Sequence, residues 1–424
     1  MKVAKNSWGN IMLSTLIPIT VAAFFCFIVF AMWATSALRI CYARKNIETR
    51  ILVLGSRGKS GTVRLLHALM NQCGIPSYAK ITGTIAQEID TTNRILITRR
   101  LGLVSSDEMG EAIIRASKRS AKAIVFECMA VSPKLIAFVQ NRIIKAQTII
   151  IPTIRLDHLE DEGQTISEIT KNILLKLKNV DTLITGETNE SSLKIMKRWA
   201  RRNHVTFYQA QPTTSMFRCD GHHDTNVAIA LQVGYLMNLE HEAICNALEA
   251  CSTEPEASTG WELKSSGKRL RYTEIGGAND PESAAEAALK AKTFAFNETT
   301  IPVIVNRWDR PLRSVSFAAA LTPSPNISKI GVIGSATLQT KKILKKAGFT
   351  KKQIVYLGWS KTYSHKRTLK SLFALLDDQK EGWIVMYENI HSPSSDRIRS
   401  TVHQAGIELK ERAIVEYQIW GQGL

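Results

Sequence analysis

Lys59 and Ser60 close the segment Gly55-Ser-Arg-Gly-Lys-Ser-Gly61, which follows the apolar run Arg50–Leu54 and precedes an amphipathic pattern through Gln72. The order is that of a strand, a glycine-bearing loop and a helix. Glycines let backbone N–H groups curl around phosphate oxygens, and a helix N-terminus adds its partial positive charge. A lysine here reaches the terminal phosphates of a nucleotide, and the hydroxyl after it holds Mg²⁺. The commoner Gly-x-x-x-x-Gly-Lys-Ser spacing would put its first glycine at Val53; this chain has Gly-x-x-Gly-Lys-Ser from Gly55. Gly55, Ser56, Arg57, Gly58, Lys59, Ser60 and Gly61 are therefore the expected ATP-binding set, with Lys59 also catalytic.

Two further groups of acids follow apolar strand-like runs. Glu127 ends Ala123-Ile-Val-Phe-Glu127, and Asp157-His158 follows Thr148–Pro152, with Glu160 and Asp161 behind. Ligands of open α/β sheets bind at the carboxyl ends of strands, so these positions converge on the phosphate loop. A carboxylate there binds a metal or positions a nucleophile; a solvated loop glutamate and an incidental loop histidine are the plain alternatives. His222-His223-Asp224-Thr225-Asn226 reads either as a metal cluster or as a helix start capped by Asp224.

The elements that must position these residues alternate along the chain. Strands are expected at Arg50–Leu54, Ala123–Phe126, Thr148–Pro152 and Thr182–Thr185. Helices are expected at 59–72, 106–119, 165–177, 191–201 and 224–237. This is the pattern of a mostly parallel sheet. It breaks near Cys251–Ser266. A second series then places strands near 270–275, 302–306, 329–333, 353–357 and 383–387, with helices at 281–291, 336–347, 369–378 and 395–405. That series reads as a smaller Rossmann-like domain without a Gly-x-Gly-x-x-Gly fingerprint. The expected fold class is α/β, divided into residues 1–49 as a membrane anchor, 50–255 as an ATP-binding central domain and 262–424 as the Rossmann-like domain.

Ile11 to Leu38 holds no charged residue over 28 positions, more than the ~20 that cross a bilayer as a helix. Pro18 suggests a kink, and Trp33 suits an interface. The run is too long for the apolar core of a cleaved signal peptide. Lys2 and Lys5 flank one side, and Arg39, Arg44, Lys45 and Arg50 the other, which places the main body in the cytoplasm of a single-pass protein in the cell membrane.

The chain has 424 residues and a net charge of +18. Its basic residues are scattered, with no common nucleic-acid motif, so no nucleic-acid partner is expected; an acidic substrate or product suits the charge. The seven cysteines are widely spaced with no Cys-x-x-Cys, which speaks for reduced thiols rather than zinc or a disulfide framework.

Gly55-x-x-Gly-Lys-Ser60, Thr82-Gly83-Thr84, Glu127, Asp157-His158 and the Asn226 segment together resemble the Mur ligase superfamily of ATP-dependent amide ligases. Within it, Lys80-Ile-Thr-Gly-Thr84, Phe126-Glu-Cys-Met-Ala-Val131, Ala278-Asn-Asp280 and Asn389-Ile-His391, with a membrane helix just before the phosphate loop, resemble the catalytic subunits of poly-γ-glutamate (capsule) synthases. The resemblance implies a Mur-ligase-type central domain and ATP with Mg²⁺ as cofactors. It implies catalytic roles for Lys59, Glu127 and His158, with metal contacts from Ser60, Glu127 and His158 and an adenine contact from Asn226. It places Thr82, Thr84, Asn279, Asp280, Arg307, Asp309, Arg310 and His391 on the substrate side.

The implied activity is polymerisation of glutamate through an acyl phosphate of its γ-carboxyl. Glutamate and poly-γ-glutamate would be the small-molecule partners, beside integral membrane subunits of a synthase and export complex. The alternatives are a ligase acting on a small acceptor, as folylpolyglutamate synthases do, and a membrane-tethered P-loop ATPase. Three departures from the superfamily pattern stand out. Thr153 replaces an asparagine upstream of Asp157-His158, Pro255–Thr259 lacks a junction arginine, and the position of a carbamylated lysine falls near Ile173, with Lys171 close by. About 50 residues precede the loop, leaving no room in this sequence for a nucleotide-sugar-binding domain.

Overall fold

The computed structural model describes residues 4–82, 86–97, 107–130, 132–156, 162–212, 217, 219, 222–251, 259–274, 300–306, 311–321, 327–335, 337–358, 364–376, 378–387 and 393–409. Thr84, Asp157, His158, Glu160, Asp161, Asn279, Asp280, Arg307, Asp309, Arg310, His391 and the helix expected at 281–291 lie outside them.

Alternation of apolar residues at period two builds the centre of the first sheet. In β1 (Thr49–Val53) and β5 (Ala123–Glu127), Leu52, Ile124 and Phe126 enter one apolar cluster while Ile51, Val53, Ala123 and Val125 enter another. A strand buried on both faces must be covered by helices on both sides, which is what a parallel sheet with crossover helices provides.

Among the described residues the sheet has eight strands in the order β4-β3-β2-β5-β1-β6-β7-β8. Of the remaining strands, β2 is Ser77–Ile81, β3 Gln87–Ile89, β4 Ile95–Ile97, β6 Thr148–Ile151, β7 Thr182–Thr185 and β8 Thr206–Gln209. Strands β2, β5, β1, β6, β7 and β8 are mutually parallel. The pairs β2–β3 and β3–β4 are antiparallel, so the expected parallel sheet carries an antiparallel edge. Strands β2, β3, β4 and β8 escaped the sequence reading because polar residues interrupt their short apolar runs.

The helices that flank this sheet are α2 (Lys59–Gln72), α3 (Asp107–Lys118), α4 (Pro133–Phe138), which runs on into a π-helical segment at Val139–Ile144, α5 (Ile166–Leu174), α6 (Glu190–Arg202), α7 (Asp224–Leu236) and α8 (His241–Glu249). Among the described residues a second sheet has seven strands and lies between Thr259 and Leu409. Thr259–Ser265, expected within the break, is instead a strand paired antiparallel with Lys268–Glu274. The other expected strands of this series are found with shifts of at most two residues at their ends.

One helix, α1 (Ala4–Lys45), holds the apolar N-terminal run and continues unbroken through Pro18. Phe24, Phe25, Phe27, Phe30 and Trp33 are all exposed, and the helix is long and apolar enough over Ile19–Lys45 to cross a membrane. Its last turns behave differently. Ala43 is buried, Ile40 packs against the same cluster, and Ile47 just beyond is buried too. Arg44 donates to the carbonyls of Arg142 (3.0 Å) and Ile143 (2.5 Å). Opposite them α3 presents Gly110, where a Cβ would fall 2.5 Å from Ile40 Cδ1. Glycine in a helix costs about 1 kcal/mol against alanine, and here it is the notch that lets α1 approach. The membrane-type helix therefore ends inside the core of the first sheet's domain, with no linker.

Candidate active site

The phosphate loop joins β1 to α2 and rests on the end of β6. Ser56 and Arg57 N–H donate to the Thr153 carbonyl at 3.0 and 3.4 Å, and Thr153 Oγ1 returns a bond to the Arg57 carbonyl. Gly55 has φ +103° and Gly58 φ +80°, both in the region that favours glycine. A Cβ on Gly55 would lie 2.9 Å from the Thr153 carbonyl oxygen, and one on Gly58 would lie 2.7 Å from Asn226 Oδ1. Both glycines are fixed by backbone sign and by close approach together.

Lys59 folds back over its own loop, with Nζ donating to the carbonyls of Gly55 (2.7 Å) and Ser56 (3.3 Å). The ammonium is thus held against the carbonyls of its own loop. Ser60 Oγ donates to Glu127 Oε2 at 3.0 Å, and the Thr82 N–H donates to the same oxygen at 3.0 Å. Register places Glu127 beside Val53, so the strand that ends in the acid neighbours the one that ends in the loop. Glu127 is buried, and its partners among the described residues are neutral. A buried carboxylate whose described partners are neutral, beside a hydroxyl, is a hard-oxygen donor set of the kind that Mg²⁺ or Mn²⁺ takes. The residues present therefore fit a divalent cation. Among the described residues no three His, Cys, Asp or Glu side chains cluster as a metal site, and His158 lies outside them.

Asn226 sits in the first turn of α7, packed under the loop: its Oδ1 accepts from Thr62 Oγ1 at 3.2 Å. The helix start is capped by His223, whose Nδ1 accepts from the Thr225 N–H at 3.3 Å, rather than by Asp224 as expected. The extended backbone of His223 is what makes it the cap, and Asp224 is already helical. No described contact makes His222 and His223 a metal pair: the His222 ring faces the Cys251 carbonyl.

One carboxylate was missed. Glu187, fully buried two residues past β7, accepts from the N–H groups of Ile154 (2.6 Å), Thr188 (2.8 Å) and Asn189 (2.9 Å), and lies 3.7 Å from Arg155. It ties the chain after β6, which carries Thr153 and leads to Asp157-His158, to the end of β7. The signal was there, since Thr182-Leu-Ile-Thr-Gly-Glu187 repeats the strand-then-acid pattern of Glu127.

Behind Thr82, Lys80 is fully buried and pairs with Glu88 at 3.1 Å and Glu108 at 3.6 Å, while Glu88 also accepts from Tyr78 and from two nitrogens of Arg115. Burial works to raise the Glu88 carboxyl, but Arg115, Lys80 and Tyr78 outweigh it and hold it below the usual range. This network fixes the strand that delivers the Thr82 amide. Cys128, next to Glu127, is buried, and burial pushes its thiol up to about 12, which disfavours the thiolate. Of the superfamily positions in question, Ile173 is in the core and Lys171 is exposed on α5.

Residues 261–404 match the family model described as the poly-gamma-glutamate synthase CapB C-terminal domain. Over 303 residues the chain is 25% identical to the PGA synthase CapB of Bacillus subtilis (strain 168), covering 69% of this chain and 77% of that protein. The capsule biosynthesis protein CapB of Bacillus anthracis is 24% identical over 344 residues, covering 78% and 73%. Among solved structures, the folylpolyglutamate synthase of Mycobacterium tuberculosis complexed with ADP and AMPPCP aligns with TM-score 0.58 at 12% identity, over 86% of this chain and 94% of that one. MurF of Acinetobacter baumannii aligns at 0.57 and 12% identity, over 88% and 80%. The bifunctional folylpolyglutamate/dihydrofolate synthase of Yersinia pestis complexed with AMPPNP and a Mn ion aligns at 0.54 and 15%, over 87% and 91%. The chain has the Mur ligase fold. In sequence it is similar to the CapB proteins, across both sheets of that fold. Ser60, Glu127 and the phosphate loop thus lie in a Mur-ligase-type sheet, at the carboxyl edge where such α/β sheets take ligands.

Proposed function

We propose that this protein is an ATP- and Mg²⁺-dependent amide ligase that polymerises glutamate through its γ-carboxyl, anchored by α1 in the cell membrane with both sheets in the cytoplasm. The observation that carries the reading is the meeting of Lys59, Ser60 and Glu127 at one sheet edge of a chain whose relatives are named for poly-γ-glutamate and capsule synthesis. A carboxylate resists attack by an amine. In the proposed reaction a γ-carboxylate oxygen attacks the γ-phosphorus of ATP and ADP leaves. The amine of the next glutamate then attacks the acyl carbon, phosphate departs, and the amine proton is lost.

The chain's part is positioning and charge neutralisation. Backbone N–H groups of residues 55–61 cradle the phosphates, and Lys59 exchanges its loop carbonyls for their oxygens. Ser60 and Glu127, with His158, would hold Mg²⁺, which supplies charge neutralisation between the phosphates when bound. Asn226 keeps Gly58 and Thr62 in register and borders the nucleotide. By the family resemblance, Thr82 and Thr84 serve the acyl side, and Asn279, Asp280, Arg307, Asp309, Arg310 and His391, which belong to the second domain in sequence, serve the substrate side. Integral membrane subunits for export are the expected partners, and the charge of +18 suits a polyanionic product.

The test is phosphate release from ATP by detergent-solubilised full-length protein, with glutamate compared against other amino acids. Release that rises with glutamate alone, with γ-linked oligomers by mass spectrometry, supports the ligase. Turnover indifferent to every amino acid, with membrane partners supplied, overturns it in favour of a tethered ATPase. Glutamate transfer to a small pterin-type acceptor would move the reading to a folylpolyglutamate-synthase-like ligase.

A further inference from the structure

The direction of α1 relative to the sheet can be read from three sets of contacts. Ile40 meets Gly110, and further along Asn46 Nδ2 lies 3.4 Å from Ser117 Oγ, so α1 and α3 run parallel. At the start of α3, Glu108 lies 3.6 Å from Lys80, which pairs with Phe126, one residue before Glu127. Beyond the end of α3, Lys122 offers its carbonyl to the N–H groups of Glu48 and Thr49, at the beginning of β1. Helix α1 therefore descends from the carboxyl edge of the sheet, where Glu127 and the phosphate loop sit, to the opposite edge. The offset of about 70 residues between the paired helices puts Leu38, last of the uncharged run, level with Glu108 and so with the strand ends. Arg39, exposed and first of the charges, falls at the same height.

From this we infer that the carboxyl edge of the first sheet, with its nucleotide site, faces the bilayer surface and lies at headgroup height. The inference rests on reading α1 as a membrane span. Because Ile40, Ala43 and Ile47 are packed into the domain and Arg44 is bonded to it, no hinge separates the span from the sheet. Apolar residues preceding Leu38 must leave the domain on the active-site side, and the lipid surface is the partner that lies on that side. A product released there emerges against the membrane rather than into bulk solvent. It is within reach of an acceptor embedded in the same bilayer.

The two ends of α6 test this, since Glu190 follows the carboxyl end of β7 and Arg202 precedes the start of β8, ~18 Å away along the helix. Both are exposed. Full-length protein carrying p-azidophenylalanine at position 190 or 202, each coupled to a dye by an azide-selective reagent, is reconstituted in vesicles whose headgroups bear a nitroxide quencher. Emission lost from position 190 and kept at 202 is the expected result. Equal loss, greater loss at 202, or no loss at either position in protein that floats with the vesicles overturns the orientation. Protein that does not float with vesicles overturns the anchor and the orientation with it. Glutamate-dependent ATP turnover, measured on the same samples, reports separately on the ligase reading.

Discussion

Ser60, in the first turn of α2, and Glu127, the last residue of β5, are 67 residues apart, yet Ser60 Oγ donates to Glu127 Oε2 at 3.0 Å across the edge of the first sheet. The contact follows from register, because β1 and β5 are neighbours and Val53 pairs with Glu127. Replacing the acid by its amide keeps an oxygen for Ser60 and for the Thr82 N–H but removes the charge. Glu127→Gln is expected to keep its unfolding midpoint, to need more divalent cation, and to lose roughly a hundredfold or more in ligase rate, the scale on which one electrostatic group acts in such sites. A cation titration of ATP turnover beside a thermal melt checks it.

Lys59→Ala removes an ammonium whose only described bonds are to its own loop. Little of the fold depends on it. The expected outcome is loss of polymer synthesis by at least a hundredfold, with unchanged circular dichroism and unchanged membrane association. Retained synthesis would remove the phosphate-loop assignment.

Glu187→Ala strands the buried N–H of Ile154, while those of Thr188 and Asn189, at the exposed start of α6, can turn to water. An unpaired buried donor costs about 1–3 kcal/mol, so a loss of that size is expected in denaturant unfolding. The tie between Glu187 and Ile154 also steadies Thr153, on which the phosphate loop rests, so nucleotide affinity should fall as well. Glu187→Gln, which keeps an acceptor, should recover part of both.

His67, on the buried face of α2, titrates at about 4 because burial disfavours its charge. Asn71 Nδ2 faces its Nε2 at 3.3 Å and Ser77 Oγ its Nδ1 at 2.7 Å, a setting that suits the neutral ring with Nδ1–H donating to the serine. The unfolded chain takes up this proton near pH 6.5 and the folded chain only near 4. Stability is therefore full above about 6.5 and falls as pH drops to 4, by roughly 3 kcal/mol from this group. Unfolding free energies measured across that window check it, and His67→Gln should flatten the slope.

Much of the first sheet was legible because its central strands are buried on both faces and read as unbroken β-branched runs; helix α2 was found at its true limits, Lys59–Gln72. The short strands β2, β3, β4 and β8 were not. Ser77-Tyr-Ala-Lys-Ile81 owes its burial to Lys80 being neutralised by Glu88 and Glu108, and no local pattern announces an ion pair closed by distant residues. The cap of α7 moved from Asp224 to His223 because capping is decided by backbone angles, which composition does not fix.

What the sequence determined by itself is local: a glycine loop with lysine and serine after a strand, acids at strand ends, and an apolar helix before them. These follow from side-chain chemistry and from periods of 2 and 3.6 along a few residues. What only the tertiary structure decided is which of these meet. Sheet order put Glu127, not some other acid, on Ser60; the close approach of Asn226 made Gly58 obligatory; Glu187 became a tie because β6 and β7 are neighbours. The notch at Gly110 set the direction of α1 against the sheet, since packing between elements distant in sequence is settled by shape and burial that no window of residues contains.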